Sequence, residues 1–309
     1  MGLNRKRYND LDTYYKKKYG KKIIKLPLDG GFTCPNRDGT LSSRGCIYCS
    51  DAGAGEWTYR SVGDIKAQIA YQKKILAKSG REEGYIAYFQ NFTNTYGDVA
   101  RMREMFYAAI NEVDIVGLSI ATRADCLPDK VLKLLEELNE KTDLTIELGM
   151  QSVNDNTLKF INRGYSHQEF DNGVQKLAYL GIEMVAHIIV GLVGEDIDDY
   201  LKDIDYINYR GIQGIKIHNL YIENNTYLKS YYEKNNITYD MTKDDYANIV
   251  VTMLRYLNPE VVVNRLTGDG IVENIAYPRW SKNKGAVLST IDKIMKDGDF
   301  RQGDLWKEN

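Results

Sequence analysis

The chain has 309 residues, 43% of them apolar and 27% charged, with a formal net charge of −2. That length buries a large core, and the composition is that of a globular protein, which excludes a disordered chain and a global basic field for nucleic acid. No apolar run is long enough to span a bilayer and the N-terminus lacks the apolar stretch of a signal peptide, so a cytoplasmic protein with no membrane association is expected.

The chain opens on a basic extension, residues 1–22. Arg5, Lys6, Arg7, Lys16, Lys17, Lys18, Lys21, Lys22 and the nearby Lys25 are opposed only by Asp10 and Asp12, and Tyr14, Tyr15 and Tyr19 lie among them. Cations beside aromatic rings suit phosphate contact and base stacking. They equally suit a solvated face or a helix packed on the core, and the sequence does not choose.

Six short β-branched runs follow, near 22–28, from 84, from 114, from 144, from 182 and from 212. Each reads as a buried strand. Between them lie helical patterns: "VGDIKAQIAYQKKILAK", "DVARMREMFYAAI", "PDKVLKLLEELNE", "HQEFDNGVQKLAYL" and "DIDDYLKDIDYIN". In the third, Val131, Leu134, Leu135 and Leu138 fall on one face, and Pro128 and Asp129 suit the helix start. A further helix, "TKDDYANIVVTMLRYL", comes after the sixth strand. Strand and helix alternating in this way imply parallel strands joined by right-handed crossovers. No GxGxxG turn follows the first strand, which weakens a dinucleotide-binding sheet, and six units are too few for a closed eight-unit barrel. The fold class expected is therefore α/β, a partial (β/α)6 TIM-like barrel over residues 23–221, with a C-terminal α/β extension over 222–309. Functional loops belong at the carboxyl ends of the strands.

The loop after the first strand, "DGGFTCPNRDGTLSSRGCIYCS", holds three of the four cysteines. Eleven residues separate Cys34 from Cys46, and two separate Cys46 from Cys49. In a reducing compartment such spacing reads as metal ligation or catalysis. Three thiolates hold a [4Fe–4S] cluster and leave one iron open. The alternatives are a zinc site completed by Cys126, a redox CxxC pair, and unligated thiols. Structural zinc wants four ligands, and none of the three histidines, His167, His187 and His218, is near in sequence. A redox pair sits at a helix start, whereas this one runs into "DAGAGEW". The cluster is favoured, and Cys126 reads as a buried thiol.

Taken in order, the cysteine loop, "AYFQNFTNTY", "IATRADCL", "ELGMQSVNDNTLKFINRGYSH", "HIIVGLVGE" and "IKIHNLY" resemble the radical S-adenosylmethionine (SAM) enzymes, as do "PEVVVNRLTGDG" and "YPRWSKNKGAVL" further on. More narrowly they are similar to the small group related to the radical domain of the Elongator catalytic subunit. The superfamily's commonest pattern is Cx3Cx2C; the longer first interval here is the one this group uses. No acetyltransferase-like domain follows the barrel, so Elongator's own carboxymethylating chemistry is not carried over.

The resemblance implies a [4Fe–4S] cluster on Cys34, Cys46 and Cys49, and SAM bound at its open iron and cleaved to a 5′-deoxyadenosyl radical that abstracts hydrogen from substrate. It implies cofactor contacts from Gln90, Asn91 and Thr93 after the second strand, and from Ser119, Thr122 and Arg123 at the end of the third. Glu147 and Gln151 alternate with apolar residues and so share a face inside the barrel. A buried Glu needs a partner, and function is favoured there over a structural salt bridge. His187, His218 and Arg265 complete the candidate catalytic set. The substrate implied is a wobble uridine of tRNA, in a step such as 5-carboxymethylaminomethyluridine to 5-aminomethyluridine. Partners implied are an electron donor such as flavodoxin or ferredoxin and a tRNA methyltransferase acting downstream. A small metabolite or a protein as substrate, and a non-enzymatic zinc module, are the competing readings.

Overall fold

The computed structural model describes residues 6–50, 53, 58, 64–76, 83–268 and 270–308. Arg5 and most of the "DAGAGEW" run lie outside the described residues. The elements begin with α1 (Leu11–Tyr19), β1 (Lys22–Leu28), α2 (Ile65–Leu76), β2 (Glu83–Phe89), α3 (Val99–Ile110), β3 (Ile115–Thr122), α4 (Asp129–Asn139) and β4 (Asp143–Gln151). They continue with α5 (Asp155–Phe160), α6 (His167–Tyr179), β5 (Glu183–Val190), α7 (Ile197–Arg210), β6 (Gly214–Asn219), β7 (Ile222–Glu223) and α8 (Tyr227–Lys234). The last are α9 (Lys243–Tyr256), β8 (Val262–Arg265), β9 (Ile275–Tyr277) and α10 (Lys284–Asp297).

Strand and helix alternate as expected, and the strands form one sheet in the order β1-β2-β3-β4-β5-β6-β8. The pairing is parallel, in register Tyr88↔Ser119 between β2 and β3 and Ser119↔Thr145 between β3 and β4. The six anticipated strands are joined by a seventh, β8, which pairs with β6. Its sequence, Val-Val-Asn-Arg, is too short and too polar at its end to announce a strand; pairing with β6 makes it one. β7 and β9 form a separate antiparallel pair.

Helix boundaries follow local chemistry. The α6 start is a capping box in which Ser166 accepts from the Glu169 N–H and the Glu169 carboxylate accepts from the Ser166 N–H. Asp196 and Asp199 do the same for α7. In α4 the anticipated face, Val131, Leu134, Leu135 and Leu138, is buried, each side chain contributing about 1.5–3 kcal/mol. Among the described residues no helix is long and apolar enough to cross a membrane.

The chain divides into two compact units. One comprises 12–149 and 163–185, and therefore holds β1 to β3 and β4 up to Gly149, with α2, α3, α4 and α6. In it the tyrosines of α1 are committed to packing. Tyr14 donates to Glu183 Oε1 at 2.9 Å, Tyr19 donates to Asp143 Oδ2 at 2.6 Å, and Lys18 pairs with Asp143 at 3.2 Å. Tyr15 is buried. Asp143 and Glu183 open β4 and β5, so α1 meets the amino ends of the strands, the end opposite the functional loops. For the tyrosines of the basic segment, packing is what is observed, while Lys16 and Lys17 stay exposed. The other unit comprises 1–11, 150–162 and 186–309, with β6, β8 and α7 to α10.

Candidate active site

The loop after β1 is pinned at its root before it reaches the cysteines. Gln68 of α2 accepts from the Asp29 N–H at 2.8 Å and donates to the Asp29 carbonyl at 2.9 Å, while the Asp29 carboxylate accepts from Gly31 N and from Asn91 Nδ2. Beyond it the chain turns on itself. The Cys34 carbonyl accepts from the N–H groups of Arg37 and Asp38, and Gly45 N donates to Asn36 O at 2.6 Å. Gly45 takes φ +72, and a Cβ there would come 3.1 Å from Arg37 Cγ, so glycine admits the close approach. Cys49 N donates to Cys46 O at 3.0 Å, which puts the CxxC pair in a single turn.

Two side chains of the loop aim at the sulfurs. Asn36 Nδ2 donates to Cys46 Sγ at 3.6 Å, and Arg37 Nη1 stands 3.5 Å from Cys49 Sγ. Burial pushes the Cys46 thiol up and the Cys49 thiol up to about 12, with neighbouring cysteines adding to both. Left alone these groups are neutral thiols; holding them as thiolates takes a cationic metal centre. Among the described residues, no three His, Cys, Asp or Glu side chains converge as ligands of one ion. A four-iron cluster takes each cysteine on a different iron, and three thiols carried on one loop, two of them in a single turn, are a donor set that suits it. Cys126, 7% exposed on the loop after β3, donates to Asp125 Oδ1 at 3.7 Å, and burial pushes it up to about 12.

The strand ends around the loop separate the expected cofactor residues into two kinds. Gln90 is half-buried at the end of β2, and Thr93 is buried with its N–H on the Thr33 carbonyl at 3.2 Å. Asn91 uses its Nδ2 on Asp29 at 2.9 Å and Thr58 at 3.0 Å, and its buried Oδ1 accepts no hydrogen bond among the described residues. Ser119, Thr122 and Arg123 are engaged within the chain. Ser119 donates to Glu147 Oε1 at 2.8 Å, Thr122 shares a 2.6 Å hydrogen bond with Thr95, and Arg123 grips Asp125 through Nε and Nη2 at 2.9 and 2.8 Å. Arg123 Nη1 also donates to Arg163 O at 2.7 Å, and its guanidinium lies 4.5 Å from the centre of the Tyr165 ring.

Glu147 has the partner a buried carboxylate requires. Its side chain is wholly buried, and Lys25 Nζ of β1 reaches Oε1 at 2.6 Å. The alternating face of β4 thus carries an ion pair, the arrangement weighed against a direct functional role. Gln151 ends β4 with φ +65. His187 of β5 and His218 of β6 face each other with ring centroids 5.5 Å apart, and Arg265 is half-buried at the end of β8. Gln151, His187, His218 and Arg265 belong to the second unit, and the cysteine loop with the β2 and β3 ends to the first.

Sequence reasoning passed over Lys25, Asp29, Asn36, Arg37, Asn94 and Asp125. Asn94 donates to the carbonyls of Phe89, Asn91 and Ala121, tying the ends of β2 and β3 together. The signals were present for two of them: Lys25 interrupts an apolar strand, and Asp125 follows Arg123 by two residues. An open cavity of about 870 Å³ lies beside the loop, bordered by Thr33, Pro35, Thr95, Cys126 and Lys130.

A parallel strand-and-helix sheet that opens on a three-cysteine loop defines the class, and the chain belongs to the Radical SAM superfamily, which it matches over residues 39–207, with the Radical_SAM C-terminal domain over 212–297. That superfamily uses a [4Fe–4S] cluster and SAM. Among individual proteins, the chain is 41% identical to "Uncharacterized protein YtqA" of Bacillus subtilis, over 98% of this chain and 94% of that one. It is 33% identical to "Protein YhcC" of Escherichia coli, over 91% of this chain and 90% of that one. A more distant likeness, 27% over 52% of this chain and 37% of the other, is to the tRNA-2-methylthio-N(6)-dimethylallyladenosine synthase of a Sulfurihydrogenibium species. Among solved structures, the fold is shared with archaeal Elp3 of Methanocaldococcus infernus at a TM-score of 0.62 and 18% identity; the match covers 91% of this chain and 64% of that one.

Proposed function

We propose that this radical SAM enzyme modifies the side chain of a wobble uridine in tRNA, in a step of the type that takes 5-carboxymethylaminomethyluridine to 5-aminomethyluridine. The chemistry is supported by the cysteine loop, whose three thiols are gathered in one glycine-turned segment with donors aimed at two of them. When bound, the cluster and SAM supply one-electron cleavage of the cofactor and a radical that abstracts hydrogen. In this reading Cys34, Cys46 and Cys49 hold the cluster. Gln90, Asn91 and Thr93 offer polar groups to the cofactor, Asn91 through the Oδ1 that accepts nothing else among the described residues. Arg123, clamped by Asp125, closes the rim of the loop, and Ser119 and Glu147 orient the sheet beneath it. Gln151, His187, His218 and Arg265 are offered as the substrate-facing set.

The tRNA substrate is supported by the likeness to a synthase named for a tRNA nucleoside and by the fold shared with Elp3. It draws nothing from α1, whose tyrosines and Lys18 are bonded to Asp143 and Glu183. A low-potential donor such as flavodoxin or ferredoxin and a downstream tRNA methyltransferase are the partners this reading requires. Mass spectrometry of nucleosides from total tRNA tests it, comparing a strain lacking the gene with its parent. Accumulation of one uridine derivative with loss of its successor is expected. An unchanged profile, where the parent makes those nucleosides, refutes tRNA as substrate and leaves a small metabolite or a protein.

A further inference from the structure

Arg37 touches each part of the cysteine loop. Its N–H donates to the Cys34 carbonyl at 2.8 Å, its stem passes the glycine before Cys46, and its Nη1 stands 3.5 Å from Cys49 Sγ and 2.5 Å from the Ser50 carbonyl. The guanidinium lies over the Phe92 ring, 5.5 Å from its centre, and a Cβ on Gly53 would meet the same ring at 2.3 Å. The head group is therefore held from two sides. Asn36 is 1% exposed, fixed through its carbonyl by Gly45 N, and points Nδ2 at Cys46 Sγ.

We propose that Arg37, assisted by Asn36, sets the redox poise of the iron–sulfur cluster by donating hydrogen bonds to its cysteine sulfurs. The proposal rests on Cys34, Cys46 and Cys49 being the ligands. Reduction takes one electron from a low-potential one-electron donor and adds one negative charge to the cluster, shared with the cysteine sulfurs; no bond forms or breaks. A fixed cation and N–H donors at those sulfurs favour the more negative state and raise the reduction potential. Arginine suits the task because it stays charged at every working pH and its planar head serves a sulfur and a carbonyl together. Asn36 adds a neutral donor at Cys46 and is the weaker of the two.

The test is a redox titration with dithionite, followed by electron paramagnetic resonance, on anaerobically reconstituted wild type, Arg37→Met, Arg37→Lys and Asn36→Leu, each assayed for iron and sulfide. A more negative midpoint is expected for Arg37→Met, a smaller negative shift for Asn36→Leu, and an intermediate value for Arg37→Lys, which keeps the charge. A wild-type midpoint in a fully loaded Arg37→Met overturns the proposal. Where the Met variant loses its cluster, the Lys variant decides: an unchanged midpoint, or loss of the cluster there too, reduces Arg37 to a structural support. The ligand assignment fails separately, when Cys49→Ala keeps a full four-iron cluster, and the proposal then falls with it.

Discussion

Replacing Lys25 with methionine removes the cation from Glu147 while keeping most of the packed volume. The Glu147 side chain is wholly buried and the Lys25 side chain 16% exposed, so the carboxylate keeps the Ser119 hydroxyl but loses a cation 2.6 Å away. Breaking one side of a buried pair costs about 3–5 kcal/mol, a third or more of the stability of an ordinary domain. The lysine gives a second figure. Burial lowers its pKa, the Glu147 carboxylate more than offsets that, and the group is pushed up to about 12 from 10.5. That shift corresponds to about 2 kcal/mol. It measures only the preference for charged over neutral Lys25, so the larger figure governs the variant. Because the folded pKa is raised, this stability is present below about pH 10.5 and lost as pH rises through about 12; Lys25→Met should lack that step. Urea unfolding followed by circular dichroism at pH 7 is the assay. Glu147→Gln should cost less, about 1–3 kcal/mol, since the partly exposed lysine still reaches water. The double variant Lys25→Met with Glu147→Met should recover most of the loss. A single Lys25→Met within about 1 kcal/mol of wild type, or a double variant no better than the single, refutes the ion pair as the support of this face.

Alanine at Cys34, Cys46 or Cys49 should strip iron and abolish SAM cleavage, whereas Cys126→Ala should keep both; iron and sulfide analysis with product chromatography reads this out. Gly173 of α6 packs so closely that a Cβ would stand 2.5 Å from the Ala124 carbonyl. Gly173→Ala should therefore destabilise by about 1–3 kcal/mol despite the gain in helix propensity, and an unchanged melting midpoint would count against that packing. The Glu195 carboxyl is hydrogen-bonded to Ser152 and Thr157; burial pushes it up to about 7 despite those bonds, with Asp199 and Asp196 adding to the rise. Its share of stability is present below its ordinary pKa and fades as pH rises through about 7, so Glu195→Gln should flatten the stability profile between about pH 5 and 7. Tyr14→Phe and Tyr19→Phe should each lose about 1 kcal/mol of stability and leave RNA binding unchanged, as gel-shift titration would show if α1 serves packing alone.

By itself the sequence determined the alternation of strands and helices, because apolar periodicity and capping residues act over a few neighbours. The α4 face and the α6 start could be read directly from that local pattern. The cysteine loop was equally legible, since ligand type and spacing are local. Only the tertiary structure decided which polar residues answer one another across strands. Glu147 meets Lys25 from 122 positions away, and Tyr14 meets Glu183 across 169. Arg123 drew notice as a charge past an apolar strand, yet its anion, Asp125, needed the turn geometry to be recognised. β8 became a strand through partners distant in sequence, β6 and, at Val263, the Asn9–Asp10 segment. Such pairings depend on chain closure and desolvation, which no window of neighbouring residues records.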